Sequence, residues 1–291
     1  MTDDDGSYPP RGAERLAGDT FYVPGLTNAG YVRGLIVDTG PEVEPYASAG
    51  FDRLAITHGH ADHFAVAAKL RRAGAVVYAS RDDARLVENP EVNVRGMFSW
   101  ANPGDLLVSK LFRAEGCKVD GYLEDWNDVR AVAVPLPGHT LGHTGMLTTD
   151  GVLFTGDALY LEEIWAQHPL PYAIDPGMVV ASLERIRTLD YEWLVPAHGR
   201  PVDHAESLRH IDFHIGQIRE TDRLILALLT GEGRSTEEII ALVSADRRLS
   251  DDPAQYWLAV TTVKGFLGDL LARGEIDFYV REHSGWGRAK R

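Results

Sequence analysis

Between residues 20 and 205, short apolar runs alternate with segments whose apolar residues recur at helical spacing. YVRGLIVDTG (31–40) reads as a strand ending in a turn, and RLAIT (53–57) is a compact apolar run of strand length. AVVYAS (75–80), VRAVAVPL (129–136), GVLFTG (151–156) and EWLVPA (192–197) read as further strands. ADHFAVAAKLRRAG is rich in Ala and Leu, carries Arg71 and Arg72 in its last turn and stops at Gly74, which predicts a helix. RDDARLVEN predicts a short helix, and MVVASLERIRTLD (178–190) an amphipathic one. Strands alternating with helices predict an α/β architecture.

The pattern changes after residue 215. GQIRETDRLILALLT (216–230) has helical spacing, STEEIIALV opens with Ser235 three residues before Glu238, and PAQYWLAVTTVKGFLGDLLARG ends at Gly274. EIDFYVREH then reads as a strand, and SGWGRAKR as a flexible basic tail. Three helices and a β-wing resemble a small winged-helix-like domain. The predicted division is a flexible tail over 1–19, a catalytic domain over 20–215 and a C-terminal domain over 216–291. No repeat or low-complexity tract interrupts it.

Composition narrows the classes. A chain of 291 residues with 44% hydrophobic content can bury one large domain plus a small appendage. No apolar run approaches the ~20 residues that span a bilayer, so no membrane is expected. The start, MTDDDGSYPPRGAERL, is acidic and lacks the features of a secretory signal. The single cysteine, Cys117, excludes an internal disulfide and fits a reducing cytoplasm. Of the net charge of −14, residues 1–215 carry −13, with 18 basic and 31 acidic residues, and residues 216–291 carry −1, with 11 and 12. Such a field repels polyanions, and residues 253–273 offer only Lys264 and Arg273 against Asp269. DNA binding is therefore not expected, and RNA is disfavoured by charge. Oligomeric state stays open, a homodimer included.

The chemistry concentrates at the ends of the apolar runs. ITHGHADHF places His58, His60, Asp62 and His63 within six positions. Four runs lead into a potential ligand: LAIT into His58, VAVPLPG into His139, VLFTG into Asp157 and WLVPA into His198. Rigid strands followed by Gly- and Pro-containing turns let such side chains converge. His58, His60 and His139 can take one ion and Asp62, His63 and His198 another, with Asp157 offering an oxygen to each. Imidazole and carboxylate suit zinc, and also manganese or iron. A water bridging two such ions loses a proton near neutral pH and becomes a nucleophile.

THGHADHF, PGHTLGHTG, LFTGD and VPAHG, in that order, resemble the metallo-β-lactamase superfamily, and most closely its glyoxalase-II-like branch. The resemblance covers about residues 20–210. It implies a four-layer αβ/βα sandwich with a dinuclear site at one edge and a C-terminal winged-helix-like appendage of the kind some relatives carry. By position, His58, His60, His139 and Asp157 resemble the ligands of one metal, and Asp62, His63, Asp157 and His198 those of the second, most often two Zn2+. Asp62 is thus ligand and catalytic candidate at once. Asp157 stands where several β-lactamases place a cysteine ligand, which favours ester, thioester, lactone or phosphodiester hydrolysis over antibiotic cleavage. Cys117 lies well before His139 and is not assigned as a ligand.

Outside the ligand set, Tyr160 can donate to a developing oxyanion or simply fill the core. His143 fits a loop-organising role, while His168, His204, His210, His214 and His283 read as ordinary structural residues. The insertion over about 89–128 reads as a lid or pocket wall, or as a plain surface excursion. Trp165 and Tyr172 can line an acyl pocket or simply pack. The favoured function is a dinuclear hydrolase of a small-molecule thioester, ester or lactone, with a metal-bridging hydroxide as nucleophile. The alternatives are a phosphodiesterase or endoribonuclease, a mononuclear iron persulfide dioxygenase, and a metal-stabilised interaction protein.

Overall fold

The computed structural model describes residues 9–107 and 112–290. Seven strands form one sheet in chain order: β1 (Glu14–Ala17), β2 (Thr20–Val23), β3 (Ala29–Val32), β4 (Leu35–Val37), β5 (Arg53–Ala55), β6 (Val76–Ala79) and β7 (Gly121–Tyr122). The first four form an antiparallel meander, and β4 to β7 run parallel. Their connections hold α1 (Ala67–Arg72), α2 (Ala84–Glu88) and α3 (Glu91–Met97). A second sheet follows, again in chain order: β8 (Ala131–Pro135), β9 (Thr144–Thr148), β10 (Val152–Gly156), β11 (Trp193–Pro196) and β12 (Val202–Asp203). Between β10 and the parallel β11 run α4 (Glu162–Gln167) and α5 (Pro176–Arg187).

The sheets face one another across Val32, Leu35, Val37 and Ala55 on one side and Met146, Val152, Phe154 and Val195 on the other. On its far face the first sheet packs Ile36, Leu54 and Val77 against Ala67 and Leu70 of α1. The second packs Leu153 and Leu194 against Leu183 and Ile186 of α5. Central strands buried on both faces need apolar residues at every position, so they appear in the sequence as unbroken runs rather than alternations. The result is the four-layer α/β/β/α sandwich that the resemblance implies.

Some boundaries differ from the sequence expectation. YVRGLIVDTG is not one strand: Arg33 (φ 44°) and Gly34 (φ 85°) form a tight left-handed turn joining antiparallel β3 and β4. Both are buried throughout, so no polar alternation marks the break. The tail expected over 1–19 contains β1, whose Glu14 pairs with Tyr22; residues 1–8 lie outside the described residues. The helix expected from ADHFAVAAKLRRAG is regular only over Ala67–Arg72.

At the C-terminal end, α6 (His204–Leu228) is one continuous helix of 25 residues, so the expected boundary at 215/216 falls inside it. β13 (Arg234–Ser235) leads into α7 (Thr236–Asp246), where Ser235 and Glu238 form the predicted capping box. α8 (Pro253–Ala272) is followed by the hairpin β14 (Ile276–Arg281) and β15 (Ser284–Ala289). SGWGRA (284–289) is therefore a strand rather than a free tail. Its turn residues Glu282 and His283 take φ 51° and 61°, which the sequence pattern does not announce in residues other than Gly or Asn. Ile225, Ile239, Val263 and Phe266 belong to the same apolar cluster as Leu183 and Leu194, so this module shares a core with the second sheet.

The insertion joins the architecture at two points. β7 extends the first sheet, and Val94, Met97, Leu107 and Phe112 cluster against Trp257 and Leu258 of α8. The Phe98 and Trp257 rings pack with centres 4.4 Å apart and planes tilted by 56°. Residues 108–111 of the insertion lie outside the described residues. Among the described residues, no helix is long and apolar enough to cross a membrane.

Candidate metal centre

The loops after β5, β8, β10 and β11 carry His58, His139, Asp157 and His198 to a common point, joined by His60, Asp62 and His63 from the loop after β5. Two groups form. Ligand atoms of His58, His60, His139 and Asp157 all lie within 4.8 Å of one another, as do those of Asp62, His63 and His198. Backbone shape makes this approach feasible. Gly138 (φ 129°) and Gly156 (φ 53°) precede His139 and Asp157, and a Cβ on Gly156 would press on Thr57 and His143.

Asp157 stands between the groups. Its Oδ2 lies 3.4 Å from His139 Nε2, while Oδ1 lies 3.6 Å from His63 Nε2 and 3.5 Å from His198 Nε2. The neighbouring imidazoles hold its carboxyl far below the usual range, despite the burial that opposes them.

Hydrogen bonds to the outer ring nitrogens fix which atom faces inward. His139 Nδ1–H donates to the Tyr172 carbonyl (2.9 Å), His198 Nδ1–H to the Leu26 carbonyl (2.7 Å) and His63 Nδ1–H to Asp38 Oδ2 (2.9 Å). Each bond leaves an Nε2 lone pair aimed into the site. Thr27 Oγ1 donates to Asp62 Oδ2 at 2.8 Å, and Asn28 ties down the β11 loop through the Pro196 and Gly199 carbonyls.

The donor set fits metal ions. His58 Nε2, His63 Nε2 and Asp157 Oδ1 are buried without a hydrogen-bond partner. His60 Nδ1 and His139 Nε2 face each other at 2.8 Å, the latter an acceptor because His139 donates through Nδ1. Unpaired buried polar atoms cost about 1–3 kcal/mol each, and a cation among them removes that penalty. Burial drives His58 and His139 well below their ordinary pKa, so both stay neutral and able to ligate. Burial also lowers His63, but Asp62, Asp157 and Asp38 outweigh it and raise the ring to about 10, a preference for positive charge at that spot.

Several residues outside the predicted set carry the arrangement. Asp38, buried and at φ 56°, accepts from Thr57 N (2.7 Å), Thr57 Oγ1 (2.7 Å) and His63. Asp83 accepts from Gly59 N (2.9 Å), Thr140 Oγ1 (2.6 Å) and Gly142 N (2.9 Å), joining the loop of His58 and His60 to that of His139. The sole sequence signal for Asp38 is an acidic residue closing an apolar run, and Asp83 gives none. His143 holds the expected organising position, accepting from Asp157 N at 3.0 Å. His210 and His214 are structural, accepting from Glu162 N and Tyr160 N. Cys117 is buried in the first sheet's core with its thiol pushed up to about 11 by burial, away from the ligands.

A cavity of about 590 Å³ opens beside the cluster, bounded by Leu26, Ile164, Leu170, Tyr172 and by parts of the insertion and α8. The insertion is thus a pocket wall. His168 borders the cavity too, which its reading as an ordinary structural residue did not anticipate. Trp165 instead packs inside against His214. Tyr160 reaches the cavity while donating to Asp157 Oδ2 at 3.0 Å.

An α/β/β/α sandwich with five histidines and two aspartates gathered at its loop edge defines a metal-dependent hydrolase. The family model described as the metallo-beta-lactamase superfamily matches residues 22–198, and the chain belongs to that superfamily. Beta-lactamase-like protein 2 homolog of Drosophila melanogaster is 24% identical over 91% of this chain and 86% of its own length. Hydroxyacylglutathione hydrolase GloC of Haemophilus influenzae, a glyoxalase-II homologue, is 35% identical over 37% of this chain and 49% of its own length. A beta-lactamase domain protein from Burkholderia ambifaria has a similar structure, with TM-score 0.67 at 18% identity over 99% of this chain and 96% of that one.

Proposed function

We propose that the protein is a dinuclear hydrolase of a thioester, ester or lactone, with His58, His60, His139 and Asp157 holding one divalent ion and Asp62, His63, Asp157 and His198 the other. The observation that carries this reading is Asp157, one oxygen turned to each histidine group. A single-iron site would leave Asp62, His63 and His198 gathered without a purpose. Bound ions, Zn2+ in this reading, would supply an activated water as nucleophile and polarise the attacked carbonyl.

The chain's own groups complete the arrangement. Burial and the adjacent Asp157 keep the Tyr160 phenol well above its ordinary pKa, so it acts only as a donor. Turned from Asp157 toward the cavity, its O–H would donate to the oxyanion that develops on the substrate. Asp62, held by Thr27, keeps a carboxylate at the cavity wall beside His63 and His198. Apolar walls around Leu26, Ile164 and Leu170 suit an acyl group and exclude water from the reacting carbonyl. A small-molecule substrate in the cytoplasm fits these features.

The test is activity of purified, metal-quantified protein on thioesters, esters, lactones, phosphodiesters and short RNAs. Two metals per chain with acyl turnover support the proposal. One iron per chain with oxygen consumption, or turnover of RNA alone, overturns it.

A further inference from the structure

The cavity wall away from the metal cluster is built jointly by two segments of no assigned role. The insertion contributes Asn93, Met97 and Phe112, and α8 contributes Gln255 and Leu258. These segments are held together by a shared apolar cluster and by the tilted contact of the Phe98 and Trp257 rings. Among the described residues, no Lys, Arg or Glu lines the cavity, and its only carboxylates are Asp62 and Asp157 of the metal cluster. Beside apolar surface, the described lining offers the amides of Asn93, Gln255 and Gln167 and the imidazole of His168.

Resting on the acyl-hydrolase reading, we propose that this wall selects substrates uncharged at the end remote from the scissile bond: an apolar chain, with at most a neutral hydrogen-bonding group for the amides. Among the described residues of this wall no Lys or Arg stands ready to receive a carboxylate or phosphate that has lost its hydration, and an unpaired buried charge is among the costliest groups to bury. Small anionic thioesters such as those of acidic peptide thiols are thereby rejected, as are nucleotides. Met97, Phe112 and Leu258 are specificity residues in this account, not catalytic ones. Leu258, on the well-capped α8 and facing the cavity, is the position where charge can be introduced with least disturbance to the metal loops.

The experiment uses the full-length metal-loaded protein and two activated esters of one chain length, a hexanoyl ester and its adipoyl counterpart, which ends in a carboxylate. The hexanoyl ester is expected to have at least about 100-fold higher kcat/KM, the loss of a charge-solvating environment being worth several kcal/mol. Leu258→Lys should cut that preference at least about 10-fold by giving the carboxylate a partner, while Leu258→Met leaves it unchanged. Equal turnover of both esters, or an unaltered preference in Leu258→Lys, overturns the proposal. If neither ester is cleaved, the acyl-hydrolase reading is decided by the full substrate panel, and the wall is judged by binding. Hexanamide should then displace a neutral naphthylamine dye from the protein at least about 10-fold more strongly than adipamate does. Equal displacement overturns the proposal on its own.

Discussion

Replacing Asp38 by alanine strips the acceptor from three buried donors at once: Thr57 N–H, Thr57 Oγ1–H and His63 Nδ1–H. Each orphaned donor costs about 1–3 kcal/mol. Alanine must also hold the left-handed backbone of residue 38, φ 56°, without the carboxylate bonds that anchor it there, at about 1 kcal/mol more. The sum, about 4–10 kcal/mol, rivals the 5–15 kcal/mol by which whole domains are stable. Urea unfolding of metal-free protein should show Asp38→Ala at least about 3 kcal/mol less stable, or unable to fold. Asp38→Asn separates stability from ligand control. Its amide N–H faces His63 Nδ1, which must then accept, moving the ring proton to Nε2. That proton occupies the lone pair needed by an ion between Asp62, His63 and His198. Asp38→Asn should therefore fold but bind the second metal about 10–100-fold more weakly, as outer partners of metal ligands commonly do. A loss below about 1 kcal/mol in Asp38→Ala, or unchanged metal affinity in Asp38→Asn, refutes the reasoning.

Asp157→Ala removes a ligand atom from both groups and should lower activity at least about 100-fold, with metal content below two per chain by elemental analysis. Asp83→Ala releases Gly59, Thr140 and Gly142; isothermal titration should show weaker binding of the ion at His58, His60 and His139, with a stability loss of about 3 kcal/mol or more. His143 and His214 are lowered by burial to about 3 from 6.5, so each binds its proton more weakly folded than unfolded. Their contribution is present above pH 6.5 and fades as pH falls toward 3, by about 1.4 kcal/mol per pH unit and group. His214→Phe should flatten the acid limb of metal-free unfolding by that slope, and an unchanged limb would contradict it. Chelation should lower Tm by about 5 °C or more, since an ion at a hundred times its Kd adds about 2.7 kcal/mol.

The sequence by itself determined the ordered candidate ligands, the strands that end in them and the three C-terminal helices, because each follows from local features. An apolar run of strand length, a capping box or a His-x-His-x-Asp-His cluster carries its signal within a few positions. What only the tertiary structure decided depends on residues far apart in the chain. Strands β3 and β4 merge into one apolar run since both faces of each are covered, and the 215/216 boundary vanishes because α6 serves two parts of one core. Asp38 and Asp83 act through partners 19 to 59 positions away, beyond the range of any local pattern. The cavity wall of Met97, Phe112, Gln255 and Leu258 likewise exists only because an insertion and a C-terminal helix meet over the cavity. Which side chains meet across such distances is set by packing, which periodicity along the chain does not encode.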